Sequence, residues 1–411
     1  MPQHSEHPFF LQGISSLEIL KKYGVPLYVY DASIMERQYK KFSEAFSCLP
    51  WKLRYACKAL SNINILQLFK KWGCGVDTVS LEEAKLALWA GFKPEDIIFT
   101  PNCISFEEIE KVLEKNILVN IEDLQNLAKF GEKYSSSVPC CIRLKPHILA
   151  GGNYHIQTGH ADSKFGISIY DLQEILEIIQ KYKIQVAGLH VHTGSEIKSI
   201  EQFLQGTEVL FQAALSFPGL KFLDFGSGFK VAYKKEEKEL DIAELAIKMK
   251  ERWEKFCMDY GKEVEIWFEP GKFLVSQAGY FFVKTNVVKK GNNIPFAGVD
   301  SGFNHLVRPM LYNAYHEIIN VSNPDAPKSF YNVVGYICET DTFATAREIA
   351  EIRSGDILCF CNAGAYGFSM SSQYNSRLRP AEVLVYQGKD HLIRKREEWE
   401  DLLQKQICLG L

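Results

Sequence analysis

From residue 53 to residue 271 the chain repeats one grammar, a short apolar run followed by apolar residues at helical spacing. The runs are LRYACK (53–58), GVDTVS (75–80), IIFTPN (97–102), LVNIE (118–122), CCIRL (140–144), VAGLHVHT (186–193), FLDFGS (222–227) and EIWFEPG (265–271). Between them lie stretches such as SNINILQLFKKWG, where Ile65, Leu66, Phe69 and Trp72 fall on one helical face, and ELAIKMKERWEKF. Ser80 with Glu83, and Ser105 with Glu108, carry the spacing of capping boxes, in which each pair satisfies two orphan amide donors. Alternation of this kind implies a parallel sheet, and eight runs favour a closed (β/α)8 barrel over an open doubly wound sheet.

After about residue 280 the pattern changes. YFFVKTNVV, PFAGVD, NVVGYICE, DILCFCN and AEVLVYQ are β-branched and aromatic runs divided by Gly-Asn-Asn or Gly-Lys-Asp turns. They predict an antiparallel β domain, with helix expected only near 343–352 and in the tail WEDLLQKQ. The early run PLYVYD (26–31) is positioned to add a strand to it. The expected division is an N-terminal segment 1–34 contributing to the β domain, a barrel over 35–278 and a C-terminal β domain over 279–411.

A net charge of −3, with 24% charged residues, does not fit a nucleic-acid partner, which favours a basic domain. No apolar run approaches the roughly 20 residues a membrane helix needs. Eleven cysteines without paired spacing, and an N-terminus without a basic-then-apolar pattern, make reduced thiols and a cytoplasmic location the expectation. Cys408-Leu-Gly-Leu ends like a prenylation box, but Gly410 is not aliphatic and no polybasic segment precedes it.

Barrel chemistry gathers at the C-terminal ends of the strands. Read in order, those ends give Lys58, Asp77, Asn102, Glu122, Arg143, His192, Gly226-Ser227-Gly228 and Glu269-Pro270-Gly271-Lys272. Glycine-rich loops after the last two strands let backbone amides approach a phosphate. A strand-end lysine, a phosphate cradle and a strand-end carboxylate together suggest pyridoxal phosphate. Lys58 would form the Schiff base, and Glu269 would pair with the pyridinium nitrogen that makes the ring an electron sink. Each element alone has an ordinary reading: Lys58 can snorkel to solvent, and most GSG turns bind nothing. His190 and His192 share a strand face, but without a third ligand in register no metal is expected. HILAGGNYHIQTGH (147–160) reads as a Gly-rich loop.

The ordered motifs YACKA (55–59), GVDTVS (75–80), TGHADSKFGI (158–167), GLHVHTGSEI (188–197), FGSGF (225–229), FEPGKF (268–273), VDSGFNHLVRPMLY (299–312), ICETD (337–341) and NAGAYGFSMSSQYN (362–375) carry a resemblance. Over residues 25 to 390 the chain resembles the alanine-racemase-like, fold-type III pyridoxal-phosphate enzymes, and among them the diaminopimelate decarboxylase family. The resemblance implies a TIM-type barrel with a C-terminal β domain, and conversion of meso-2,6-diaminopimelate to L-lysine and carbon dioxide, the last step of lysine biosynthesis. It makes Lys58 the Schiff-base lysine and His192 the ring-stacking residue. Asp77, Arg143, Ser195, Gly226, Ser227, Gly228, Glu269, Gly271, Lys272 and Tyr366 become cofactor-holding positions. Lys272, Arg308, Tyr312, Glu339 and Tyr366 become contacts to a small amino-acid substrate. Cys338 becomes the proton donor. In this family the Cys338–Glu339 pair reaches the site from a partner subunit, so a homodimer with shared active sites is implied.

Two positions depart from the family pattern: Lys272 stands where arginine is usual, and Ser227 where a third glycine is. Lysine lacks the bidentate fork of arginine. The rival readings are another basic amino-acid or polyamine decarboxylase on this scaffold, or a non-catalytic carrier of the cofactor. The first would lack the RPMLY and ICETD combination. The second would not need the roughly 130 residues after the barrel, about one domain's worth.

Overall fold

The computed structural model describes residues 9–148, 163–197, 199–234 and 236–411. These fall into two compact units. One is built from 38–231 and 238–273, the other from the N-terminal 37 residues, 232–237 and 274–411.

PLYVYD forms strand β1 (Leu27–Asp31) of the second unit. The first unit then runs through β2 (Trp51–Ala56), β3 (Gly75–Thr78), β4 (Ile97–Phe99), β5 (Leu118–Ile121), β6 (Pro139–Lys145), β7 (Gln185–Val191), β8 (Phe222–Asp224) and β9 (Glu265–Phe268). Neighbours pair in parallel from β2 to β9; β9 pairs with β2 and β6 with β7, so the sheet closes. The strands are buried on both faces, as parallel strands covered by helices must be. In β2 the period of two sends Tyr55 outward to stack on Phe69 of helix Ile63–Lys71, with ring centroids 4.1 Å apart. Arg54 and Ala56 take the other face. Asn62 caps that helix by accepting from Asn64 N–H at 3.0 Å, which ends the turn that carries Lys58.

The expected capping boxes form by half. Ser80 accepts from Glu83 N–H and Ser105 from Glu108 N–H. The glutamates do not return the bond to the cap residue. Glu83 accepts from Val79 N–H one residue earlier, and Glu108 accepts from Leu81 N–H at the start of the preceding helix.

The second unit holds β1, β10 (Gly279–Lys289), β11 (Phe296–Val299), β12 (Ile318–Asn320), β13 (Lys328–Val334), β14 (Thr342–Ala350), β15 (Ile357–Phe360), β16 (Ala381–Tyr386) and β17 (Lys389–Arg394). Its order is β14-β13-β11-β10-β1-β16-β17, with β15 also on β10 and β12 on β15. Pairing is antiparallel except β11 with β13 and β1 with β16. The helix expected near 343–352 is a strand instead. TFATAREIA pairs along nearly its whole length with KSFYNVV, and this cross-strand pairing overrides the helix propensity of Ala, Arg and Glu. The tail is helical over Trp399–Leu403. Among the described residues no helix is long and apolar enough to cross a membrane.

Candidate active site

The barrel interior has two layers. Toward the N-terminal ends lie Ile98, Leu118, Cys141, Phe222 and Trp267. Phe222 and Trp267 stack with centroids 3.5 Å apart, and the Arg54 guanidinium lies 3.8 Å from the Trp267 ring. Toward the C-terminal ends the inward positions become Asp77, Thr100, Asn120, Arg143, His190, Asp224 and Glu269, each at most 6% exposed. Such a density of buried polar groups requires internal partners.

Glu269 is the hub. His190 Nε2–H donates to its Oε2 at 3.1 Å, and Thr100 Oγ–H reaches Oε1 at 3.4 Å. Asn120 Nδ2–H donates to Thr100 Oγ1 at 2.8 Å. Burial alone would raise the Glu269 carboxyl, but the His190 contact and the positive charge of Lys58 outweigh it and hold it below the ordinary range. Burial, opposed by the Glu269 charge, depresses His190. Asp77 behaves oppositely: burial, reinforced by the Glu269 charge, pushes its carboxyl up to about 7.

Lys58 sits in the single turn Cys57–Ala59 directly after β2, its side chain 42% exposed and its Nζ 3.4 Å from Asp77 Oδ2. Gly271, after β9, packs where a Cβ would stand 2.9 Å from that of Ala59. The loop after β8 lies against His192. Gly226 has φ 58°, and a Cβ there would come within 2.5 Å of His192 Nδ1, so both the backbone and the space demand glycine. Ser227 N–H donates to His192 Nδ1 at 3.3 Å, which leaves the ring proton on Nε2. Burial first, then the charge of Lys58, depresses His192 well below its ordinary value. Gly228, with φ 104°, is the second left-handed position of the loop. Ser227 is not among the positive-φ residues, so the middle position accepts a side chain without backbone strain. Ser195 lies on the loop after β7. Lys272 is paired with Glu196 at 2.7 Å. Arg143 is buried with its guanidinium 4.8 Å from the Phe165 ring. Asn102 and Glu122 bond each other at 2.8 Å, and Glu122 also accepts from Cys103 N–H.

The barrel thus brings together Lys58, Asp77, His192, the Gly226–Gly228 loop and Glu269. Thr100, Asn120, His190's role and Asp224 are additions to the sequence reading. Asp224 Oδ1 accepts from Gly226 N–H at 2.9 Å and so fixes the glycine loop. One atom each of His190, Asp224 and Glu269 lies within 4.8 Å of the others, a spacing a small ion would also accept, but both Glu269 oxygens are already engaged. Of TGHADSKFGI, residues 158–162 lie outside the described residues, as do 149–160 of the expected Gly-rich loop.

In the second unit the short helix Arg308–Tyr312 buries Arg308 and leaves Tyr312 half-buried. Tyr366 has φ 56°, a conformation a bulky residue seldom adopts without being held there. Cys338 and Glu339 are exposed on a turn that Asp341 pins, accepting from Ile337 N–H at 3.0 Å and from Phe303 N–H at 2.8 Å. Tyr374 O–H donates to Glu339 at 3.0 Å.

A rim lysine, a glycine loop fixed from below and a buried anionic carboxylate suit a cofactor carrying an aldehyde, a phosphate and a basic ring nitrogen. The family described as pyridoxal-dependent decarboxylase, pyridoxal binding domain, matches residues 32–276, and the chain belongs to it. Within that class its curated relatives include diaminopimelate decarboxylases. That of Methanothermobacter thermautotrophicus is 37% identical, covering 96% of this chain and 94% of the relative. That of Aquifex aeolicus is 34% identical, covering 98% and 97%. A crystal structure of diaminopimelate decarboxylase superposes with a TM-score of 0.90 at 33% identity, covering 98% of this chain and 99% of that one. The Helicobacter pylori enzyme complexed with L-lysine gives 0.85 at 32%, covering 94% and 98%.

Proposed function

We propose that this chain is a pyridoxal-phosphate-dependent carboxy-lyase converting meso-2,6-diaminopimelate to L-lysine and carbon dioxide. The observation that carries it is the approach of Lys58 to buried Asp77 at one rim of a barrel whose Glu269 is held anionic by His190. The relatives' names agree with it. When bound, the cofactor supplies an electron sink for the pair left behind by the departing carboxylate.

The residues divide that work. Lys58 Nζ is the covalent anchor, and Asp77, beside it, keeps the amine oriented. Glu269 would pair with the ring nitrogen and His192 would stack on the ring. Arg143, Ser195, the loop Gly226, Ser227 and Gly228, Gly271 and Lys272 would hold the phosphate end and the ring substituents. In the second unit Arg308 and Tyr312 would receive the substrate carboxylate that is retained, Glu339 the distal ammonium, and Tyr366 would contact substrate and cofactor; in the barrel Lys272 is a further proposed substrate contact. The buried guanidinium of Arg308 has no carboxylate partner among the described residues, as a site awaiting an anion requires. Cys338 Sγ–H returns a proton to the carbon that has lost its carboxylate. The exposure of Cys338 and Glu339 in the single chain supports their facing the site of a partner subunit in a homodimer. The working division remains 1–34, 35–278 and 279–411, and the cytoplasm is the proposed location.

The test is a substrate comparison on purified protein with added cofactor. Decarboxylation of meso-diaminopimelate should exceed that of lysine or ornithine by orders of magnitude. A preference for ornithine would transfer the chain to the polyamine-type reading, and cofactor binding without turnover of any of the three would leave only a carrier. Cys338→Ala should slow turnover with the cofactor still bound.

A further inference from the structure

We infer that His316 is a positioning residue that aims Arg308 at the retained carboxylate of the substrate; this rests on the reading of Arg308 given above. Arg308 is 3% exposed. One nitrogen, Nη1, is held from two sides. It donates to the Tyr233 hydroxyl at 3.0 Å and to His316 Nε2 at 3.4 Å. The Tyr233 hydroxyl in turn reaches Ser276 Oγ at 3.2 Å.

The His316 ring is fixed from its far side. A carbonyl oxygen only accepts, so the 2.9 Å contact between Nδ1 and Cys361 O places the ring proton on Nδ1. The neutral ring therefore turns its Nε2 lone pair toward Arg308. Arg347 Nη1–H donates to the His316 carbonyl at 2.6 Å and anchors its backbone. The Tyr233 and His316 rings meet edge-on, 5.8 Å apart at 90°, and the guanidinium lies 4.9 Å from the Tyr233 ring.

The chemistry of these partners gives the arrangement its purpose. Both of the groups holding Nη1 are neutral acceptors. They orient the guanidinium without neutralising it, and leave its remaining N–H groups and its full charge for a carboxylate ligand, which a planar fork grips bidentately. A glutamate in place of His316 would orient the arginine equally well and fill the site with its own charge. His316 itself touches no substrate; it acts through Arg308.

The experiment compares His316→Leu, which fills the space without an acceptor, with His316→Gln, whose amide oxygen reaches the Nε2 position. His316→Leu should raise KM for meso-diaminopimelate about tenfold and lower kcat less than threefold, with the cofactor absorbance unchanged. Inhibition by L-lysine, which keeps the carboxylate, should weaken about tenfold, while inhibition by cadaverine, which has none, should not change. His316→Gln should restore most of the KM. Should His316→Leu fail to fold, His316→Asn retains a donor for Cys361 O but offers Arg308 nothing, and should reproduce the Leu pattern. Unchanged KM and lysine inhibition, or equal weakening toward lysine and cadaverine, would overturn the inference. Failure of the wild-type chain to act on diaminopimelate would overturn the function instead.

Discussion

The two ends of the barrel interior are lined by the same eight strands and differ in everything else. At one end Ile98, Cys141, Phe222 and Trp267 close the bore with apolar and aromatic surface. At the other, further along the strands, Asp77, Thr100, Asn120, Arg143, His190, Asp224 and Glu269 fill an equally buried layer with polar groups. Burial of apolar surface is favourable in itself, whereas buried charge is costly unless partnered. The first layer therefore holds the barrel shut, and the second is maintained for chemistry, with Asp77 forced upward and Glu269 forced downward within one site.

That division of labour can be broken at either end. Lys58→Ala should produce the largest effect, eliminating the visible absorbance of the bound cofactor and at least about three orders of magnitude in activity. Folding stability should change by less than about 1 kcal/mol, because the side chain is 42% exposed. An unchanged spectrum would remove Lys58 from the site. Trp267→Ala should do the reverse. Denaturant melts should lose about 3–5 kcal/mol, while the protein that remains folded keeps kcat within a few-fold. A large loss of kcat at unaltered stability would show that the plug takes part in catalysis. Glu269→Gln keeps an acceptor for His190, removes the charge, and turns the oxygen that Thr100 reaches into an amide NH2 donor. Activity should fall on the order of 100-fold, as single-turnover assays would measure.

A pH dependence of stability should accompany these effects. Asp77 holds its proton in the folded cofactor-free protein up to about 7, against 3.8 when unperturbed. The folded state therefore binds more protons than the unfolded state across that window, and this contribution to stability is lost as pH rises through it. His190 and His192, depressed by burial, have the opposite sign: their contribution is present above the ordinary histidine value and is lost on acidification. The Asp77 share is isolated by subtraction. The stability of wild type relative to Asp77→Asn should decline from pH 4 to pH 7. A flat difference would mean that Asp77 ionises normally.

Much of this was visible in the chain because barrel grammar is local. Each strand–helix pair announces itself by its own periodicity, and functional side chains fall at the end of each apolar run, where Lys58, His192 and Glu269 stood out. What stayed hidden depends on pairing at a distance. Thr100 and Asn120 are ordinary polar residues until the closed sheet sets them beside Glu269. Asp224 sits inside an apolar run, and its partner is the loop amide of Gly226. TFATAREIA is rich in helix formers and becomes a strand only because KSFYNVV lies beside it. The departure at Ser227 is resolved by one dihedral: the loop needs positive φ at the first and third positions and not at the middle one.

Residues 232–237 interrupt the barrel's sequence between β8 and its next helix, yet belong with the other unit, where Tyr233 engages Arg308 and Ser276. A gene fragment spanning only 38–273 would export that tyrosine away from its arginine. Dissecting the enzyme by truncation would therefore remove one of the two groups that hold Arg308 Nη1, and any minimal version must be cut and rejoined around residues 232–237.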